Sequence, residues 1–417
     1  MKLRTVAPGT EAPPGDSPTT AEQRFGLLDS LRGFALFGVL MVNLVSLSLF
    51  EFLTDEARAA LPTAAWDTAI EIVMAALVDG KFITLFTLLF GIGFAMQSQR
   101  ASGQAKGMRR YAGRMLILLA IGLTHGYLFW WGDILRYYAV CGLLLMALTR
   151  LSSAALAGLG IFVAVLLPAL LQPVLPALLP SVISSADSAR AALQAFSSDS
   201  LGVALAGNLA RDLRMRIAVW FLPMYVLGRI LIGVAIGKSG LLQNAAQHRR
   251  SWLRILLTSG SIGIGATAFF LLRRHGIIVS PEWLRSDPGR FLLRLLWQAS
   301  SLSLGLAYMA GIALLYQAPF WRRGLAALAP MGRMALSHYL AQTLIGIVLF
   351  YGIGLGIGPN LGLVGVVLIS VLVFTMQVLI SHWWLSRYRF GPVEWLWRSL
   401  SYGARQTMRR ERPFTAP

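Results

Sequence analysis

Ten apolar runs, most of them about 20 residues long, recur along this chain, and that length matches the hydrocarbon core of a bilayer. Inside lipid every backbone N–H and C=O must find its partner within the protein, so runs of this kind cross as helices. Barrel strands would instead read as short alternating segments. Composition agrees: 56% of the 417 residues are hydrophobic and only 13% charged, against about 25% charged in a soluble domain. Mean hydropathy is +0.65. The expected fold is all-α, a polytopic integral membrane bundle of about ten transmembrane helices.

The expected spans are 31–52, 82–99, a third leaving the inside near 110 and ending near 130, then 134–147, 154–171, 217–236, 255–272, 291–316, 335–351 and 363–384. Residues 1–24, rich in Pro, Gly, Thr and Ser, form a disordered tail. No short apolar core with a small-residue cleavage site follows it, so the first span reads as a retained signal anchor. The membrane domain is 25–390. Within it 172–215 is an outer loop of one or two amphipathic helices. A basic amphipathic tail, 391–417, ends the chain. The net charge of +19 would suggest nucleic acid in a soluble protein. Here Lys and Arg cluster between spans and alternate with acidic or mixed loops, so topology and anionic lipid account for them and no nucleic-acid partner is expected. The positive-inside rule puts both termini in the cytoplasm. Cys141 stands alone, which excludes an internal disulfide and a cysteine metal site.

Chemistry is concentrated on few residues. In LDSLRGFALFGVLMVNLVS, residues 28–46, Arg32 and Asn43 fall on nearly the same helix face, about 16 Å apart along the axis. Such a stripe is costly unless it faces protein or water. The bland reading pairs Arg32 with Asp29 at i, i+3 and leaves Asn43 as interhelical glue. His125 lies in the third span between Gly122 and Gly126, small residues spaced for close helix approach, as are Gly233 and Gly237. It sits about 22 Å from the inner end, with Asp133 eight residues later near the outer surface. A histidine at that depth is a general-base candidate oriented by a carboxylate, or a neutral ring donating one structural hydrogen bond. Asp79 and Lys81, at the outer mouth of the second span, either close an outward cavity on the substrate side or form an interfacial ion pair. His338 and Gln342 share a face of the ninth span, where structural hydrogen bonding is expected. Arg109, Arg110 and Arg114, with Arg249, Arg250, Arg322, Arg323 and Arg333, offer guanidinium forks for phosphates or serve only orientation and lipid contact. No P-loop occurs, and the five histidines are too scattered for a metal site.

Five stretches in order, LDSLRGFALFGVLMVNL, DGKFITLFTLLFGIGFAM, GLTHGYLFWWGDIL, MGRMALSHYLAQTLI and FGPVEWLWRSLSYG, resemble the YeiB-like family of bacterial inner-membrane proteins, a domain-of-unknown-function group. That family in turn is similar to the transmembrane acyltransferase superfamily, with its sugar O-acetyltransferases and lysosomal heparan N-acetyltransferase. The resemblance implies transfer of an acyl group from cytoplasmic acyl-CoA, acetyl-CoA first among them, to an acceptor on the outer side. Acyl-CoA would then be a co-substrate and nothing would be tightly bound. Arg32 matches the arginine of the O-acyltransferase pattern, but Asn43 stands where that pattern has a histidine. An amide is no base at neutral pH. Either the base has moved, with His125 the best candidate by depth and Asn43 left as an oxyanion donor, or this branch does something else. Arg110 and Arg114 approximate the CoA-contacting arginine pair of that branch. The alternatives to an enzyme are a transporter or channel for a small anionic solute, with Arg32 and Asn43 lining the passage, and a non-catalytic membrane scaffold. Homo-oligomers are compatible with all three.

Overall fold

A computed structural model of the chain describes residues 26–100, 105–178 and 185–410. The tail read as disordered, 1–24, and the end of the basic tail, 411–417, lie outside the described residues. The protein is an all-α polytopic bundle. Among the described residues helices account for nearly all regular structure, and the only bridge joins Tyr388 to Arg409.

Numbered by expected span, α1 is Gly26–Leu47, α2 Lys81–Arg100, α3 Ala105–Leu128, α4 Leu135–Leu145, α5 the segment Ser153–Leu171, α6 Leu222–Ser239, α7 Arg249–Arg274, α8 Asp287–Leu315, α9 Ala335–Phe350 and α10 Leu363–Arg387. Seven described stretches are long and apolar enough to cross a bilayer, counting Ala64–Gln99 as one. The other three expected spans are α3, whose first turns are basic, and the shorter apolar segments Leu135–Leu148 and Ala335–Phe350.

The acidic segment before α2 departs from a plain connection: it folds into helix Ala64–Leu77. Asp67 on that helix is buried and accepts from the Val364 N–H at 3.2 Å, which satisfies one of the orphan donors at the start of α10. One carboxylate of this acidic segment is therefore a cap for another span.

Small residues set the packing. A Cβ on Gly332 would lie 1.9 Å from the Asp29 carbonyl oxygen, and one on Gly33 2.2 Å from that of Leu328, so α1 lies directly on the short helix Ala329–Arg333. A Cβ on Gly91 would lie 2.2 Å from the Ile230 carbonyl oxygen and one on Gly233 2.2 Å from that of Leu88. Interlocked glycines thus bring the α2 and α6 backbones together, the close packing that small residues permit in lipid. Around these contacts lie two cores. One joins leucines of α1 with Tyr111, Met115 and Leu118 of α3, Tyr138 of α4 and Tyr339 of α9. The other joins α1, α2 and α6 to α8 through Met309, Ala310 and Ala313.

Candidate functional site

The Gly122-x-x-x-Gly126 face of α3 receives its own continuation. The helix ends when Phe129 and Trp130 both donate to the His125 carbonyl, and a tight turn brings the chain back. A Cβ on Gly122 would lie 2.6 Å from the Arg136 nitrogen, and one on Gly126 3.3 Å from the Asp133 Cβ. Only with small residues there does Asp133 reach the ring: His125 Nδ1 is 2.8 Å from Asp133 Oδ2. On its other side His125 Nε2 is 3.0 Å from Thr343 Oγ1 in the middle of α9. All three side chains are buried, Thr343 being 1% exposed. A carboxylate only accepts, so Nδ1 of the neutral ring carries the proton and donates to Asp133. Nε2 then presents a lone pair, and the Thr343 hydroxyl donates to it. The Tyr339 ring lies 5.2 Å from the imidazole and the Trp130 ring 6.4 Å, edge-on.

The turn carrying Asp133 is clamped from the outer loop, which holds two helices, Ser185–Ser197 and Leu201–Ala218. Asn208 accepts from the Trp131 N–H at 2.7 Å and donates to the Gly126 and Tyr127 carbonyls at 2.9 and 3.0 Å. Asp133 Oδ1 accepts from the Arg136 N–H at 3.1 Å. The Arg136 guanidinium pairs with buried Asp212, whose other oxygen lies 2.7 Å from Arg216. Two carboxylates and two guanidiniums therefore neutralise one another around the imidazole, the condition under which buried charge is tolerated. These helices do more than rest on the surface, since their polar face forms the outer wall of the site. Sequence reasoning missed Thr343, Asn208 and Asp212. Their only signal is polarity inside otherwise apolar or basic helices.

α1 packs against Ala329–Arg333, α9, α2 and α10. Arg32 pairs with Asp29 at 3.1 Å and reaches toward Gly93 on α2. Asn43 is buried, and its Nδ2 has no hydrogen-bond partner among the described residues. Gly346 fits against Leu44 and Leu47, its Cβ position 2.6 Å from Leu47 Cδ1. Thr343, three residues further in, is therefore about level with Asn43.

Two of the inner arginines stack on the C-terminal tail. Helix Pro392–Tyr402 of the C-terminal tail lays Trp397 under Arg114, 4.6 Å from guanidinium to ring, and Tyr402 under Arg110 at 5.5 Å. Arg114 also donates to Gln97 Oε1 at 2.9 Å, and the Trp397 indole to the Arg114 carbonyl at 2.8 Å. Arg109 is exposed. Glu394 on this helix accepts from the Leu336 N–H at 2.7 Å and from the Ser337 N–H at 3.1 Å, capping α9. Burial pushes its carboxyl above the ordinary value, and the hydrogen bonds from Ser337 oppose the shift.

Asp79 and Lys81 belong to a different cluster. Lys81 is buried and donates to the Ala75 carbonyl. Between them the Gly80 carbonyl accepts from the Tyr225 hydroxyl at 2.8 Å. Inward of this lies Arg229, fully buried, with Nε 2.9 Å from Thr84 Oγ1, Nη2 2.9 Å from Ser301 Oγ, and its guanidinium 3.2 Å from the Tyr225 ring centre. His338 meets Ser381 at 2.6 Å and Gln342 donates to Gln377 at 2.8 Å, tying α9 to α10. Among the described residues no three of His, Cys, Asp and Glu gather as metal ligands.

A family model described as "Protein of unknown function (DUF418)" matches residues 236–404. Uncharacterized protein YeiB of Escherichia coli (strain K12) is 30% identical over 406 residues, covering 90% of this chain and 96% of the relative. Uncharacterized protein YxaH of Bacillus subtilis (strain 168) is 29% identical over 404 residues, covering 92% and 96%. An uncharacterized 39.9 kDa protein of Bacillus acidopullulyticus, from the amylase 3' region, is 24% identical over 399 residues. With 30% identity to YeiB over 90% of its length, this chain belongs to the YeiB-like DUF418 family of multi-pass membrane proteins.

Proposed function

We propose that this protein transfers an acyl group from cytoplasmic acyl-CoA to an acceptor at the outer side of the bacterial inner membrane, with His125 as the general base. The observation that carries the reading is the buried line Asp133–His125–Thr343. A carboxylate fixes the imidazole tautomer and orientation, and the free Nε2 lone pair faces a hydroxyl, the arrangement that proton abstraction from an attacking group requires. In this reading Arg109, Arg110 and Arg114 take the CoA phosphates. The C-terminal helix, stacked on two of them, yields when CoA binds. The unpartnered Asn43 amide is the donor available to a developing oxyanion. The outer clamp built on Asn208 and Asp212 faces the acceptor side.

The test is CoA release and acyl transfer by the purified protein in liposomes supplied with acyl-CoA on the arginine-rich side. His125→Gln keeps a hydrogen-bonding side chain and loses the base, so it stays folded and inactive; wild-type turnover in that variant removes His125 from the scheme. A transport reading rests on the Asn43 amide, which has no partner on α1. It requires solute flux without CoA release, so the same liposomes separate the two.

A further inference from the structure

We infer that Thr343 is itself the first acceptor, carrying the acyl group as an ester between the two faces of the membrane. This rests on the acyl-transfer reading and deepens it. Four other helical threonines spend their hydroxyls on their own helix: Thr84 and Thr87 donate to the carbonyls four residues back at 2.6 Å, Thr258 and Thr375 at 2.8 Å. That is the ordinary resting place for a threonine in an apolar helix. The Thr343 hydroxyl is instead directed at His125 Nε2. With the ring's one N–H donating to Asp133, the Thr343 proton points at a base already oriented to remove it.

Position supports the role. Thr343 lies about 12 Å along α9 from its inner end and about 10 Å from its outer end. The inner end is held by Glu394 on the helix that covers the arginines. The outer end is held where the Gly352 N–H donates to the Phe196 carbonyl of the outer loop at 2.8 Å. A donor confined to one face and an acceptor confined to the other need not meet if a residue midway accepts first. Asn43, level with Thr343 on α1, has the free amide to hold the oxyanion of both half-reactions.

The steps balance. Thr343 Oγ attacks the thioester carbonyl carbon as its proton passes to His125 Nε2. The C–S bond breaks, the thiolate takes that proton, and CoA-SH leaves an acyl-Thr343 ester. At the outer side an acceptor hydroxyl or amine gives its proton to Nε2 and attacks the ester carbon. The bond to Thr343 Oγ breaks, and the proton returns to the threonine. No oxidant, reductant or metal takes part. The first half-reaction runs downhill because a thioester is exchanged for an oxygen ester.

The full-length protein is incubated in liposomes with acetyl-CoA, and in parallel with butyryl- and palmitoyl-CoA, without acceptor. It is then quenched in acid and mapped by peptide mass spectrometry. An acyl adduct on Thr343 is expected. Thr343→Val, which keeps the shape and drops the hydroxyl, loses the adduct and at least about 100-fold in CoA release. Thr343→Ser restores both. CoA release at the wild-type rate by Thr343→Val, or an adduct on any other residue, overturns the relay and leaves direct transfer standing. If wild-type protein neither releases CoA nor is acylated by any of the three donors, the acyl-transfer reading falls and the relay with it.

Discussion

This bundle holds two buried polar clusters, one around Arg229 and one around His125, built on opposite principles. Around Arg229 a cation is enclosed by the hydroxyls of Thr84 and Ser301, the Tyr225 ring and main-chain carbonyls, and its hydrogen-bonding nitrogens all point at fixed partners. Nothing there is poised to give or take a proton, and the cluster binds α2, α6 and α8 into one unit. Around His125 two carboxylates and two guanidiniums balance, with Arg136 and Arg216 both on Asp212 and Arg136 Nε 4.0 Å from Asp133. What remains is an imidazole held by a carboxylate at one nitrogen with its other nitrogen facing a hydroxyl. Burial and polarity alone do not mark a site. In our proposal the distinguishing feature is a reactive atom, His125 Nε2, held in orientation against a hydroxyl.

That contrast can be broken at several points. His125→Gln should cost about 10³- to 10⁴-fold in acyl transfer with the thermal transition close to wild type, measured by CoA release and by melting in detergent. Comparable losses in rate and stability would put His125 in the same class as Arg229. Asp133→Asn leaves the turn in place but can hold the wrong tautomer, and should cost about 10²- to 10³-fold in the same assay. Arg229→Met should do the reverse. It strips partners from Thr84, Ser301 and two carbonyls, so stability falls by about 2–4 kcal/mol while the rate per folded molecule changes by no more than about twofold. A hundredfold loss of rate there would erase the distinction. The smallest effect is expected from Asn208→Ala, which frees the Asp133 turn from the outer helix. We expect about tenfold in rate and about 1 kcal/mol in stability, with faster hydrogen exchange confined to 126–133.

Some of this was legible before any coordinate was known. The spans were, because a bilayer demands long apolar helices wherever the chain crosses. The glycine pairs on α3 and α6 announced close approach, and both are used for it. His125 and Asp133 were readable as candidates because an ionisable residue in an apolar run is costly. The pairing of Arg32 with Asp29 followed from helical spacing. Thr343 was not readable: it is 218 residues from His125, and an apolar helix containing one threonine is unexceptional. The stacking of Arg114 on Trp397, the capping of α9 by Glu394 and the distant cap from Asp67 likewise join segments with no common local pattern.

The amino-acid sequence by itself determined that this chain lives in a membrane, where it crosses, and which few side chains are too expensive to be there without a reason. Those are one-dimensional properties, set by how each stretch partitions between water and lipid. Which of those side chains meet was decided only by the tertiary structure. A hydrogen bond depends on the relative depth and rotation of two helices, and that is fixed by how glycines on each let the backbones close. The turn after α3 and the placement of α9 bring a carboxylate, an imidazole and a hydroxyl into line.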